Sequence, residues 1–156
     1  MVSFVAPSGT GKTTLLTSVI ALLSGRGHRV GAVKHDAHRI ELDTEGKDSW
    51  RLREAGAAGT LLMGRDQLAF FGAGAEVPDL HTVVPLLFGQ ADLVLVEGFR
   101  SAGLPTVVVA RSGIDDRSWE PPDPGLVVMT ARPDEGMRVA DLLEARYLGH
   151  ANQPLK

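Results

Sequence analysis

The 156-residue chain has no cysteine. Disulfides and thiolate metal sites are therefore excluded, and whatever fixes this fold is non-covalent. A basic excess is missing too. Sixteen Lys and Arg stand against nineteen Asp and Glu, for a formal net charge of −3. A general nucleic-acid binder shows the opposite balance. No uninterrupted apolar run exceeds a few residues, far short of the ~20 that a membrane-spanning helix needs. The N-terminus offers neither a basic n-region nor a long apolar h-region, so no secretory signal is expected. Internal repeats are absent. With 44% hydrophobic and 22% charged residues, the composition is that of an ordinary globular domain. The expectation is a soluble, cytoplasmic protein with one domain over residues 1–148 and a frayed tail over 149–156.

What the chain does have is concentrated near its start. Ala6-Pro7-Ser8-Gly9-Thr10-Gly11-Lys12-Thr13-Thr14 follows a short apolar run, Met1 to Val5, and opens a helical pattern. Apart from Ala6 in the place of the usual first glycine, this is a phosphate-binding P-loop. Gly9 and Gly11 let the backbone turn so that N–H groups converge on a phosphate, and the helix start behind them adds unpaired N–H groups and positive dipole. In this pattern Lys12 reaches the β- and γ-phosphates and the Thr13 hydroxyl meets Mg²⁺; Thr14 reads as structural. Ala6 is harmless unless its position requires positive φ.

Leu15, Leu16, Val19, Ile20, Leu22 and Leu23 recur at helical spacing, and Gly25 and Gly27 end that helix. Residues 28–34 read as a second strand. Strand, phosphate loop, helix and strand form a right-handed βαβ unit, so the sheet is at least partly parallel. Residues 34–48 are dense in charge and follow the end of that strand, where ligand crevices of open α/β sheets lie. Within them Asp36 is a candidate for the Mg²⁺ shell or for orienting a water, against the alternative of a turn-forming Asp. His35 and His38 make a weak metal pair without a third ligand; contact with a bound ligand, or a hydrogen bond within the loop, is the better reading. Ile40 and Leu42 suggest a short edge strand. Asp48 is the expected N-cap of a helix over 49–55. The cations Lys34, Arg39, Lys47, Arg51 and Arg53 could meet a second phosphorylated molecule, but acids interleave with them. Trp50 is a core residue or a stacking one.

Residues 59–63 and 67–71 read as a hairpin, and Leu80, Val83, Val84, Leu87 and Phe88 as an amphipathic helix that Pro85 kinks or shortens. Asp92-Leu93-Val94-Leu95-Val96-Glu97-Gly98 reads as a strand buried on both faces. An acid at its carboxyl end, Glu97, has the place of a Walker B residue holding Mg²⁺ directly or through water. Strands are expected over 106–110 and 126–130, a surface loop over 115–125, and a last helix over 137–148. A guanine-reading N/T-K-x-D motif is missing. Thr130-Ala131-Arg132-Pro133-Asp134 has the right place but no lysine, and its acid comes one residue late. No arginine finger or water-orienting Gln stands in an assigned position, so hydrolysis by the isolated chain would be slow; Arg39 or Arg100 could act across a dimer.

Taken together, residues 8–16, 30–38 (Val-Gly-Ala-Val-Lys-His-Asp-Ala-His), 46–57 (Gly-Lys-Asp-Ser-Trp-Arg-Leu-Arg-Glu-Ala-Gly-Ala) and 92–100 (Asp-Leu-Val-Leu-Val-Glu-Gly-Phe-Arg) resemble the molybdopterin-guanine dinucleotide biosynthesis protein B (MobB) family, in the same order over roughly residues 1–112. The resemblance implies a three-layer α/β P-loop NTPase fold, mostly parallel, with helices on both faces and a β-hairpin. It implies GTP and Mg²⁺ as ligands, a homodimer, and an adaptor with at most weak GTPase activity. The partner it implies is the guanylyltransferase that attaches GMP to molybdopterin. On this chain the family's phosphate site falls on Ser8, Gly9, Thr10, Gly11, Lys12, Thr13 and Thr14, its second-strand loop on Lys34 to His38, and its acid on Glu97. Lys12, Asp36 and Glu97 are the residues expected to act in catalysis, with Thr13, Glu97 and Asp36 at the metal. Two departures stand out: Trp50 replaces a common tyrosine, and Leu104-Pro105-Thr106 lacks the family's lysine. Two rival readings use the same residues: an ATP-dependent small-molecule kinase or ligase, and a non-catalytic dimeric scaffold for pterin and transferase.

Overall fold

The computed structural model describes residues 1–35, 44–72, 79–110 and 119–149. They fall into two compact units, one formed by 1–36 and 84–156 and the other by 37–83.

The first unit is built on a five-stranded, wholly parallel sheet of order β2-β5-β1-β6-β7. Its strands are β1 (Val2–Val5), β2 (Val30–Lys34), β5 (Leu93–Glu97), β6 (Thr106–Val109) and β7 (Val127–Ala131). β1 lies at the centre, and all its residues are buried. That is why a run as short as Val-Ser-Phe-Val needs no alternation of polar and apolar residues. Its one polar side chain, Ser3, donates to the Gly98 carbonyl at 2.5 Å, so the buried hydroxyl is satisfied.

Helices α1 (Lys12–Gly25) and α4 (Gly136–Leu143) bring their apolar stripes to one face of this sheet. Leu15, Val19 and Leu23 from α1 and Val139 and Leu143 from α4 are fully buried there with Phe4, Leu95 and Val107. Each such side chain contributes about 1.5–3 kcal/mol by leaving water. On the other face Phe88, which follows α3 (Leu80–Leu87), packs on Gly31 so closely that a Cβ there would clash with its ring. Pro85 lies inside α3 and the helix stops at Leu87, as the sequence suggested.

Element edges depart from expectation for local reasons. β2 begins at Val30 rather than at 28, because Arg29 is bonded to Asp92 ahead of β5: its N–H donates to the Asp92 carboxylate (2.7 Å) and its carbonyl accepts from the Asp92 N–H (2.7 Å). β7 starts one residue late because Asp123 accepts the Gly125 N–H (2.8 Å) and caps a 3₁₀ turn over Pro124–Leu126. The last helix begins at Gly136 and ends as a wider π turn over Glu144–Leu148.

The second unit contains α2 (Asp48–Glu54) and an antiparallel hairpin of β3 (Gly59–Met63) and β4 (Leu68–Gly72), closed by the Gly64 N–H donating to the Gln67 carbonyl (2.8 Å). Asp48 is the first helical residue and Lys47 the flanking one, so Asp48 faces the positive helix end rather than capping it. The Arg53 guanidinium sits over the Phe71 ring at 5.5 Å. Leu61, Leu62, Met63, Leu68 and Phe70 are exposed.

Candidate functional site: a phosphate loop facing a strand-end acid

β1 delivers the chain to the loop 6–11, and α1 carries it away. Gly9 and Gly11 have φ of +73° and +98°, so both use the freedom that the turn demands. Ala6 is not among the positive-φ residues, and alanine is unstrained there. Thr10 is buried and its hydroxyl donates to the Pro7 carbonyl at 2.8 Å, which braces the loop from inside. The Lys12 ammonium folds back over the loop and donates to the Ala6 and Pro7 carbonyls, each at 3.0 Å. A phosphate oxygen is a stronger acceptor for an ammonium than a neutral carbonyl. The lysine is therefore held where an arriving phosphate can claim it. Ser8 and Thr14 are exposed at the rim.

β5 lies beside β1, and this adjacency brings Glu97 to the same edge as the loop. The Thr13 hydroxyl donates to both Glu97 carboxylate oxygens, at 2.9 and 3.0 Å. The sequence separates these residues by 84 positions; the parallel sheet brings them into contact. An alcohol oxygen and a carboxylate are the hard oxygen donors that Mg²⁺ prefers, and Mg²⁺ uses few protein ligands when phosphates and water complete its shell. Among the described residues no cluster of three or more His, Asp or Glu side chains is arranged to hold a metal alone.

Lys34 ends β2 directly opposite Glu97 and is exposed. His35 follows, its N–H donating to the Glu97 carbonyl at 2.9 Å. Its ring stacks on Phe99, centroids 4.1 Å apart and planes 14° from parallel. Phe99 has φ of +58°, the one non-glycine residue with positive φ among the described residues. Such a conformation costs on the order of 1–3 kcal/mol and persists where neighbours impose it. Here the preceding peptide is locked: the Gly98 N–H donates to Phe4 and the Gly98 carbonyl accepts from Ser3. Nothing in the sequence pattern signalled Phe99. The candidates Asp36 and His38 lie outside the described residues, as do Arg39, Ile40 and Leu42. Arg100 donates to the Glu120 carbonyl and carboxylate within its own chain, at 2.5 and 3.3 Å. Lys47, Trp50, Arg51 and Arg53 belong to the second unit.

On the other side of β1, the turn after β7 meets the loop. The Pro133 ring is so close to Gly11 that a Cβ there would lie 2.8 Å from Pro133 Cγ. A separate cavity of about 520 Å³, lined by Arg29, Gly31, Leu86 and Phe88 among others, sits at the amino ends of β2 and β5. That is the end opposite the phosphate loop.

The family model for molybdopterin guanine dinucleotide synthesis protein B, MobB, matches residues 1–131, which carry the loop, Glu97 and every strand of the sheet. The chain belongs to the MobB family. Two relatives named molybdopterin-guanine dinucleotide biosynthesis adapter protein resemble this MobB-family chain. The Escherichia coli protein is 39% identical over 127 residues, covering 77% of this chain and 70% of the relative. The Haemophilus influenzae protein is 38% identical over 105 residues, covering 67% of this chain and 59% of the relative. Among solved structures, a crystal structure of MobB superposes with a TM-score of 0.68 at 29% identity, covering 92% of this chain and 97% of the other. Bacillus subtilis MobB does so with a TM-score of 0.66 at 25% identity, covering 94% and 96%. The parallel sheet, flanking helices and hairpin are those of MobB structures with the P-loop fold. Membership in a family of molybdopterin-guanine dinucleotide biosynthesis adapters favours the adaptor reading over the kinase and the bare scaffold.

Proposed function

We propose that this chain binds GTP with Mg²⁺ and acts as an adaptor in molybdenum-cofactor maturation, assisting the guanylyltransferase that joins GMP to molybdopterin. The observation that carries this is the direct contact of Thr13 with Glu97 beside a Lys12 poised over the loop. These are the groups that cradle a triphosphate and its metal. Thr13 and Glu97 would hold the ion, directly or through water, and Asp36 belongs to the same proposal. The ion would neutralise charge on the phosphates. Lys12 and the backbone of Ser8 to Thr14 bind and orient the phosphates; Lys34, His35 and His38 border the site. GTP hydrolysis is weak in this reading, because Arg100 is engaged by Glu120 in its own chain.

A homodimer is part of the proposal. A two-stranded sheet is marginal by itself, and the hairpin exposes five large apolar side chains with both edges open. A second copy of the hairpin would cover them. Among the described residues no helix is long and apolar enough to cross a membrane, which accords with work in the cytoplasm.

The test is titration of the purified chain with GTP and ATP in the presence and absence of Mg²⁺, followed by assay of guanylation with the transferase and molybdopterin. Lys12→Ala should lose GTP binding and the stimulation of guanylation while keeping its fold. Undiminished GTP binding by Lys12→Ala would remove the P-loop assignment. Steady ATP-dependent turnover of a metabolite would restore the kinase reading.

A further inference from the structure

The turn after β7 does more than close the sheet. It lies on the side of β1 away from Glu97, so it borders the phosphate loop from the flank that the metal pair leaves open. Pro133 is packed on Gly11 itself, which sets its neighbours at the entrance of the loop. The backbone is tightly built. The Arg132 N–H donates to the Glu135 carboxylate at 2.7 Å, the Glu135 N–H donates to the Arg132 carbonyl at 3.1 Å, and Arg138 holds the same carboxylate at 3.1 Å. This fixed turn holds Arg132 and Asp134 on either side of Pro133. Their side chains are 63% and 75% exposed and meet at 3.2 Å, a donor fork beside an acceptor pair.

An exposed ion pair of this kind is worth little, about 0–1 kcal/mol, so it yields readily to a partner that satisfies both groups. The chemistry selects that partner. A carboxylate only accepts hydrogen bonds, through two oxygens. On guanine the N1–H and the exocyclic N2–H₂ present two adjacent donors to such a group, while O6 accepts from a guanidinium. Adenine reverses this, with an acceptor at N1 and a donor at N6. Placed with the carboxylate on N1–H and N2–H and the guanidinium on O6, the pair is complementary to guanine; adenine in the same placement would set its N1 against the carboxylate and its N6–H₂ against the guanidinium.

We infer that the turn 132–135 reads the base of the bound nucleotide, Asp134 accepting from N1–H and N2–H of guanine and Arg132 donating to O6. This rests on the reading that the loop 6–14 holds a triphosphate, and it names residues that set the base preference. The missing lysine and the late acid of Thr-Ala-Arg-Pro-Asp are then no obstacle. Pro133 supplies the contact over the loop glycine, and Arg132 supplies the cation.

The experiment is competition of GTP, ITP, XTP and ATP against a fluorescent GTP analogue on the full chain with Mg²⁺, for wild type, Asp134→Asn, Arg132→Ala and Lys12→Ala. ITP lacks the N2 amino group, so wild type should bind GTP about tenfold or more tightly than ITP. Asp134→Asn should bring that ratio to about one and improve XTP about tenfold, since its amide can donate to the C2 carbonyl of xanthine. Arg132→Ala should weaken GTP and ITP together. Lys12→Ala should weaken all four nucleotides without reordering them. An Asp134→Asn protein that binds GTP and keeps the wild-type GTP-to-ITP ratio overturns the inference and leaves the phosphate site standing. Wild-type protein that binds none of the four overturns both.

Discussion

Three glycine-to-alanine substitutions separate two costs that meet at the phosphate loop. Gly25 ends α1 without positive φ, and a Cβ there would touch nothing within 4 Å. Gly25→Ala should be neutral or stabilise by up to about 1 kcal/mol, since glycine is the poorer helix residue. Gly27 has φ of +93° and equally open surroundings. Gly27→Ala therefore reports backbone strain alone, about 1–2 kcal/mol. Gly11 has φ of +98° and in addition faces the rigid Pro133 ring, whose Cγ and Cβ lie 2.8 and 3.0 Å from the added carbon. Overpacking of this kind adds about 1–3 kcal/mol, so Gly11→Ala should cost about 2–5 kcal/mol in total. At about 2–4 °C per kcal/mol for a chain of this size, the melting temperature should fall by about 4–20 °C. Urea denaturation measures the free energies directly. In a Pro133→Gly background the cost of Gly11→Ala should shrink to that of Gly27→Ala, a coupling of about 1–3 kcal/mol between loop and turn. If Gly11→Ala costs no more than Gly27→Ala, or the coupling vanishes, the contact between the phosphate loop and the turn after β7 is not as described. The base-reading inference would then lose its geometric footing.

Other outcomes follow from the same structure. Leu95→Ala, at a fully buried site in β5, should destabilise by about 2–5 kcal/mol in urea denaturation, whereas Leu86→Ala, 79% exposed, should change stability by less than about 0.5 kcal/mol. Glu97→Gln should leave GTP binding in EDTA largely intact while removing most of the gain that Mg²⁺ gives, read by titration with and without the ion; equal gains in both proteins would exclude Glu97 from the metal site. The hydrogen bond from His28, together with Arg26, holds the Glu144 carboxyl below its ordinary range, with Asp141 bound to the same arginine. Its folded-state pKa is depressed, so its contribution is present above the unfolded value and lost as pH falls through the folded one. Glu144→Gln should flatten that acid limb of a stability-against-pH curve. If the proposed dimer forms through the hairpin, Met63→Lys with Phe70→Lys, at exposed positions there, should shift it toward monomer in light scattering without unfolding the parallel sheet; a wild-type monomer, or a dimer that survives both changes, overturns that interface.

Much of this was readable in one dimension because local chemistry dominates there. Gly9 to Thr13 form a phosphate loop through backbone freedom and residue type, and the run Leu93 to Val96 reads as the strand buried on both faces that it is. Edges were less legible. The start of β2 depends on Asp92, 63 residues away from Arg29, and no local pattern carries that bond. Asp48 has the composition of a cap, yet the helix takes it in as its first residue. Phe99 gave no signal at all, since its strained conformation is imposed by Ser3 and Phe4 across the sheet.

The sequence by itself determined that a phosphate loop opens this chain, that an acid ends a buried strand, and that both belong to a βαβ framework. Residue type and periodicity suffice for these, because each depends on neighbours along the chain. Only the tertiary structure decided that Glu97 meets Thr13, that His35 stacks on Phe99, and that Pro133 rests on Gly11 with Arg132 and Asp134 on either side. These depend on strand order. Placing β1 between β5 and β6 sets the acid on one flank of the loop and the turn after β7 on the other, and no pattern local to the chain encodes which strands lie side by side.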